Sequence, residues 1–265
     1  MPELALDDVD LYYEVLGDGP RLLVFNGSGS TIDSVRPLIE MLASRCTVAV
    51  HDQRGLGRSA VPPPPYTMAN YAADGAALLD HLGWPTTRIA GISFGGMVAQ
   101  EFAVTWPERV ERLALLCTSP GGPDTSSYPL EQLREMDPAA RAELGLRLLD
   151  ERFTRPGWFD DHPGDLALVS RLAGSQTEES TVERSVGVAA QLGARSGHDV
   201  RDRLGRITAP TLVAAGRYDG IAPLANSRAI VAAVEGAQLE EFEGGHAFVA
   251  QDPDALVRVL AFLAD

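Results

Sequence analysis

The stretch RIAGISFGGM (Arg88–Met97) decides the fold of this 265-residue chain. It opens with a short apolar run that predicts a buried strand, and apolar residues then recur at helical spacing from Met97 to Trp106. Between the two, the G-x-S-x-G pattern centred on Ser93 predicts a tight strand-to-helix turn that holds the Ser93 hydroxyl above the edge of a sheet. The following helix would point its positive end at this serine, where a developing oxyanion is stabilised. Ser93 is therefore a candidate nucleophile.

Two later segments offer partners for Ser93. The apolar strand pattern Thr211–Ala215 runs into a turn that presents Asp219, and the short alternating pattern Leu239–Phe242 is followed by two glycines and His246. A serine hydroxyl is a poor nucleophile at neutral pH, so a histidine must take its proton, and an aspartate must orient that histidine. The order Ser, Asp, His along the chain is the order expected of an α/β-hydrolase triad.

With these motifs the chain resembles the α/β-hydrolase-fold serine hydrolases over most of its length. The turn Asp52–Ser59, after the strand pattern Cys46–His51, resembles the family's D-x-R-G-x-G-x-S turn. The loop Asn26–Ser30 follows the apolar strand pattern Leu22–Phe25, at the place where the family often has His-Gly-x-Pro. Loops that begin with Asn-Gly occur among the enol-lactonase-like and cofactor-free haloperoxidase-like members, so the resemblance is to that esterase branch.

The resemblance implies an oxyanion hole made by two backbone N–H groups. One belongs to the loop residue Ser28, and the other belongs to Phe94, the residue after the nucleophile. We also expect Asn26 to contact the substrate, with a simple cap on the loop as the alternative. The family resemblance implies neither a metal nor a cofactor, and no Cys/His spacing in the chain is typical of a metal site.

Other residues compete for the acid and base roles. Asp219 could instead cap a helix that begins near Ile221. No strand pattern precedes the two weaker candidates for the acid, Asp199 and Asp202. The remaining histidines fit the base role less well. His51 ends a strand before the Asp52 turn, and His81 lies in a helical pattern upstream of Ser93, while no strand end lies beside His162 or His198.

The alternation of strand and helix patterns predicts a mostly parallel, doubly wound sheet, with an antiparallel edge strand at Leu11–Val15. From about residue 130 to about residue 206 no strand pattern occurs, and helical patterns occur at Leu130–Phe153, Leu166–Ala173 and Val182–Ala194. We therefore predict an α/β-hydrolase core of residues 1–121 and 207–265 and a helical cap domain of residues 122–206. The cap would exclude water and shape specificity. Phe153 and Trp158 are candidates to line the substrate pocket, with packing inside the cap as the alternative.

Composition limits the partners. The net charge of −15 and the lack of a basic run argue against nucleic acid and anionic membrane surfaces. No apolar run approaches the length of a membrane span, and Cys46 and Cys117 both fall in predicted core strands. We expect a cytoplasmic enzyme that acts on a small molecule, and formation of a homo-oligomer stays open.

Several reactions remain compatible with this triad. The family's haloalkane dehalogenases and epoxide hydrolases use an aspartate nucleophile, so Ser93 argues against both. Hydrolysis of a carboxylic ester or lactone is the main prediction. The alternatives are C–C bond hydrolysis of a β-diketone-like substrate and haloperoxidase-like perhydrolysis. A non-catalytic ligand-binding receptor on this fold is a further alternative, which labelling of Ser93 by a fluorophosphonate would discriminate.

Overall fold

A computed structural model describes residues 3–175 and 181–265 of the chain. In these residues eight strands form one sheet in the order β1-β2-β4-β3-β5-β6-β7-β8. Pairing is antiparallel for β1 with β2 and for β2 with β4, and it is parallel for every later pair. The strands are β1 (Glu3–Ala5), β2 (Asp10–Leu16), β3 (Arg21–Phe25), β4 (Thr47–His51), β5 (Thr87–Ile92), β6 (Val110–Leu116), β7 (Thr211–Gly216) and β8 (Gln238–Phe242).

The predicted antiparallel strand is present as β2, but it does not lie at the edge of the sheet. The three-residue strand β1 pairs outside it, with Leu4 opposite Leu11. The helices are α1 (Arg36–Ala43), α2 (Met68–His81), α3 (Phe94–Thr105), α4 (Pro138–Leu149), α5 (Trp158–Asp161), α6 (Pro163–Ser175), α7 (Val182–Ser196), α8 (Leu224–Ala233), α9 (Phe248–Gln251) and α10 (Pro253–Ala264). Within the described residues, none of these helices is both long enough and apolar enough to cross a bilayer.

The sheet has a hydrophobic core on each face because alternate residues of a strand point to opposite sides. On β3, Leu23 and Phe25 join the core packed by α2 and α3, whereas Leu22 and Val24 join the core packed by α1 and α10. The predicted mostly parallel, doubly wound sheet is confirmed by this arrangement. The carboxyl ends of the parallel strands therefore meet at one edge, where the Ser93 turn and the loops after β7 and β8 lie.

The segment between β6 and β7 carries α4 to α7. In its described residues no strand pairs with the sheet, and a single backbone bridge joins Gly121 to Asp199. The predicted continuous helix Leu130–Phe153 is wrong. A short 3₁₀ helix ends at Glu135, and α4 begins at Pro138 with the Asp137 carboxylate capping it. The division into a core and a cap of residues 122–206 stays a prediction.

Candidate active site

Ser93 lies on the sharp turn between β5 and α3. Its φ of 54° is in the left-handed region, which a residue other than glycine occupies only under strain. A Cβ at Gly91 would lie 2.5 Å from the Gly95 carbonyl oxygen, and a Cβ at Gly95 would lie 2.6 Å from the Asn26 carbonyl oxygen. Both glycines are therefore required by close backbone packing, and the turn presses against the end of β3.

Ser93 and the two predicted partners form one hydrogen-bonded chain. His246 Nε2 lies 2.9 Å from Ser93 Oγ, and His246 Nδ1 lies 2.8 Å from Asp219 Oδ2. The Asp219 side chain is fully buried, whereas that of His246 keeps 14% of its surface exposed. The structure thus brings together the three residues that the sequence singled out, although 153 residues separate Ser93 from His246.

The Asp219 carboxylate has two tasks, because each oxygen has different partners. Oδ2 faces His246, while Oδ1 accepts hydrogen bonds of 2.8 Å from the backbone N–H groups of Ile221 and Ala222. The alternative interpretation of Asp219 as the cap of a helix that begins near Ile221 is wrong, because α8 begins at Leu224 and the two amides belong to the turn before it. The two amides fix the orientation of the carboxylate, which in turn fixes the imidazole ring.

The expected oxyanion donors lie at the entrance of α3 and in the loop after β3. Phe94 is the first residue of α3, so its N–H has no partner inside the helix. Within the described part of the chain, neither the Ser28 nor the Phe94 amide donates a hydrogen bond. A Cβ at Gly27 would lie 3.7 Å from Ser93 Cβ, so the loop passes beside the serine. The role of these amides stays a prediction.

Two glutamines that the sequence did not single out connect this loop to α7. Gly29 N–H donates to Gln191 Oε1 at 2.8 Å, and Gln191 Nε2 donates to Gln53 Oε1 at 3.3 Å. Gln53 Nε2 then donates to the Asn26 carbonyl oxygen at 2.7 Å. The Asn26 side chain itself is fully buried, and its amide has no partner among the described residues. The segment after β6 therefore holds the loop beside Ser93 in place.

The end of α4 contacts both loops that carry the partners of Ser93. The Leu149 carbonyl accepts the His246 N–H at 2.6 Å, and the Leu148 carbonyl accepts the Gly220 N–H at 3.1 Å. A Cβ at Gly245 would collide with the Leu149 carbonyl oxygen and would lie 2.7 Å from Asp150 Cα. Glycine is thus required at position 245 because α4 approaches the histidine loop so closely.

Gln251, also missed from the sequence, joins three parts of this region. Its Oε1 accepts the Gly245 N–H at 2.9 Å, and its Nε2 donates to Asp150 at 2.9 Å and to Asp165 at 3.2 Å. The fully buried Asp150 also forms a two-point ion pair with Arg152. No local sequence pattern marks Gln251, because its partners lie up to 101 residues away.

Phe153 and Trp158, the two aromatic residues predicted to line the substrate pocket, pack against other side chains of the segment between β6 and β7. Phe153 is buried and contacts Phe159. Trp158 stacks on His162, donates a hydrogen bond to Asp165, and lines a cavity of about 320 Å³ whose walls include none of Ser93, Asp219 or His246. Their contact with substrate stays a prediction.

Asp199 and His51, two of the competing acids and bases, lie in different surroundings. Asp199 forms a two-point ion pair with Arg201. His51 is fully buried against Phe25, and burial lowers its pKa to about 4, so the ring is neutral at pH 7. Within the described residues, no cluster of three or more His, Cys, Asp or Glu side chains is arranged to hold a metal ion.

Comparison with known proteins gives a consistent set of similarities. A family model described as alpha/beta hydrolase fold matches residues 20–253. A protein of Azorhizobium caulinodans named as a carbamate hydrolase, RutD, is 30% identical over 98% of this chain and 97% of its own length. The 3-oxoadipate enol-lactonase 2 of Acinetobacter baylyi is 28% identical over 95% and 92%. The crystal structure of the enol-lactonase from Burkholderia xenovorans LB400 is 25% identical, with a TM-score of 0.79 over 100% of both chains.

Proposed function

The chain belongs to the alpha/beta hydrolase fold family and is a hydrolase; from this premise we propose that it cleaves a carboxylic ester or a lactone of a small molecule through an acyl-enzyme on Ser93. The observation that carries the proposal is the continuous chain of hydrogen bonds from Ser93 through His246 to Asp219. A hydroxyl at 2.9 Å from an imidazole whose other nitrogen faces a buried carboxylate is arranged for nucleophilic attack.

In the first step His246 Nε2 takes the Ser93 proton while Ser93 Oγ attacks the substrate carbonyl carbon. The oxygen of that carbonyl becomes an oxyanion, which the N–H groups of Ser28 and Phe94 would bind in a site that excludes water. Asp219 holds Nδ1 protonated and stabilises the imidazolium. The ester bond then breaks, and the protonated His246 gives its proton to the departing alkoxide, which leaves as an alcohol.

In the second step water hydrolyses the acyl-enzyme. His246 takes a proton from water, the resulting hydroxide attacks the acyl carbon, and the second oxyanion occupies the same site. The Ser93 oxygen leaves and recovers the proton from His246, so the enzyme returns to its initial state. With a lactone, alcohol and acid are parts of one molecule, and the product is a single hydroxy acid.

Residues 122–206 are proposed to act as the cap that closes this site. Gln191 contacts the loop beside Ser93, and the Leu149 carbonyl contacts the backbone of His246, so the segment reaches both sides of the nucleophile. A substrate would then lie between these contacts, shielded from water during acyl transfer.

Carbamate hydrolysis is a second candidate, favoured by the 30% identity to the protein named as a carbamate hydrolase. It needs the same attack on a carbonyl carbon, with an amine or a carbamic acid among the products. A panel of short-chain esters, five- and six-membered lactones, alkyl carbamates and vinylogous 1,5-diketones would test the proposal. Turnover of esters or lactones by the wild type, abolished by Ser93→Ala, is the expected result. Turnover of only carbamates or only diketones would contradict it.

A further inference from the structure

A second cavity, of about 430 Å³, lies between the segment after β6 and the end of α7. Its walls include Met97, Ser119, Glu131, Arg195 and His198, and they include none of Ser93, Asp219 or His246. The proposed acyl transfer therefore gives this cavity no role, although Met97 is only one helical turn beyond the nucleophile on α3.

Arg195 is the distinctive group in this cavity. Only 5% of the residue is exposed, and its Nη1 donates to the Tyr128 carbonyl oxygen at 2.7 Å. Its Nε and Nη2 atoms are buried and have no hydrogen-bond partner in the part of the chain that the structure describes. Burial lowers the pKa of the guanidinium to about 10, so it still carries a positive charge at pH 7. A buried cation with unused donors is costly unless a partner arrives.

The two free atoms form one complete edge of the guanidinium. Nε–H and Nη2–H point in parallel, and this edge matches the two oxygens of a carboxylate. The same molecule uses the same edge in this way elsewhere: Arg54 binds Asp74 through Nε and Nη2 at 2.7 and 2.6 Å, and Arg152 binds Asp150 at 2.9 and 2.7 Å. On Arg195 the contact with Tyr128 uses Nη1 only, so Nε and Nη2 remain available and have no acceptor among the described residues.

The opposite groups of the cavity restrict what can bind. Glu131 Oε2 and His198 Nε2 are also buried and have no partner among the described residues. The Glu131 carboxylate acts to raise the pKa of the Arg195 guanidinium, yet its Oε2 accepts no hydrogen bond from Arg195 Nε or Nη2. A plain carboxylate would satisfy Arg195 but would be repelled by Glu131, whereas a ligand that also carries a hydrogen-bond donor would satisfy both.

We propose that this cavity binds a small carboxylate that also carries a hydroxyl or ammonium group. The carboxylate lies on the Nε and Nη2 edge of Arg195, and the donor lies toward Glu131 and His198. The carboxylate is either the remote end of a substrate or part of a separate ligand, and the two sources have the same chemistry at this site.

Isothermal titration with 4-hydroxybutyrate tests the proposal without requiring turnover. The matched probes are butyrate, which lacks the hydroxyl, and 4-hydroxybutyramide, which lacks the charge. Arg195→Met removes the donor edge at similar length, and Arg141→Met is the control because Arg141 is an exposed arginine on α4 outside the cavity. We expect 4-hydroxybutyrate to bind more tightly than both matched probes. Arg195→Met should weaken its binding by about tenfold or more, with Arg141→Met unchanged.

Equal affinity in Arg195→Met and the wild type, or no binding of 4-hydroxybutyrate at millimolar concentration, would overturn the proposal. Arg195→Lys keeps the charge without the two-point edge, so it should bind several-fold more weakly than the wild type even if Arg195→Met does not fold. Steady-state kinetics then identify the source of the carboxylate. If it belongs to the substrate, Arg195→Met raises KM for monomethyl 3-hydroxyglutarate, which carries both groups, but not for methyl 3-hydroxybutyrate, which lacks the carboxylate. If it belongs to a separate ligand, both values stay unchanged while binding is lost.

Discussion

Replacing Asp219 by asparagine should strongly lower kcat while leaving the fold intact. Oδ1 of residue 219 accepts two backbone N–H groups, from Ile221 and Ala222, and an asparagine must keep its oxygen there. Its NH₂ group then faces His246 Nδ1, which can accept this hydrogen bond only when it is unprotonated. The proton is thereby moved to Nε2, next to the Ser93 hydroxyl, and His246 can no longer act as the base.

The expected loss in kcat is about 10⁴-fold, which corresponds to about 5.5 kcal/mol of transition-state stabilisation. Stability should change little, because both backbone hydrogen bonds are kept. Asp219→Ala would leave the N–H groups of the half-buried Ile221 and the buried Ala222 without this acceptor. Each N–H that stays buried and unpaired costs about 1–3 kcal/mol, so this variant should lose both activity and stability.

The assay combines steady-state hydrolysis of the best ester or lactone with urea unfolding of both variants. Nitrogen NMR of His246 reports the tautomer directly. Asp199→Asn is the matched control, because Asp199 is the competing acid and pairs with Arg201 instead. The reasoning fails if Asp219→Asn keeps kcat within about tenfold of the wild type, or if Asp199→Asn shows the large loss.

Two further predictions concern the close packing at Gly245 and the burial of His51. Gly245→Ala would push its Cβ against the Leu149 carbonyl and displace the loop of His246, so kcat should fall by about 100-fold. The matched control is Gly193→Ala, because the structure leaves open space for a Cβ at that position. His51 has an ordinary pKa of 6.5 and a folded pKa of about 4, so the unfolded chain binds the extra proton and its contribution is lost as pH falls. Between pH 6.5 and pH 5 the free energy of unfolding of the wild type should therefore fall by about 1.5 kcal/mol more than that of His51→Phe, as measured by urea unfolding.

One result would contradict each of these two predictions. A Gly245→Ala enzyme as active as Gly193→Ala would mean that the contact between α4 and the histidine loop does not position His246. Parallel pH curves for the wild type and His51→Phe would mean that His51 is not held neutral in the folded protein.

Most of the fold and the candidate site could be predicted from the sequence because both depend on local patterns. The resemblance inferred from the Ser93 turn is confirmed by the family model over residues 20–253. The turn could be recognised because its two glycines are required by contacts within a few residues or at the end of the adjacent strand. Asp219 and His246 could be predicted to lie near Ser93 because strand ends in a parallel sheet meet at one edge.

The features that the sequence did not predict were missed for equally specific reasons. Strand β1 has only three residues and one buried side chain, Leu4, so it carries no usable alternation. The break before α4 had a readable signal in Asp137-Pro138, a cap followed by proline at the first helical position. No sequence signal marks Gln191 or Gln251. Each is a single polar residue in a helix, and it forms hydrogen bonds with residues that are distant in the chain.

The most direct test of the account is covalent trapping of the nucleophile. Intact-protein mass spectrometry after treatment with a fluorophosphonate should show one adduct, peptide mapping should place it on Ser93, and hydrolysis of the ester or lactone substrate should stop in proportion to labelling. Ser93→Ala should neither label nor turn over. An adduct on another residue, or undiminished turnover by Ser93→Ala, would contradict the account.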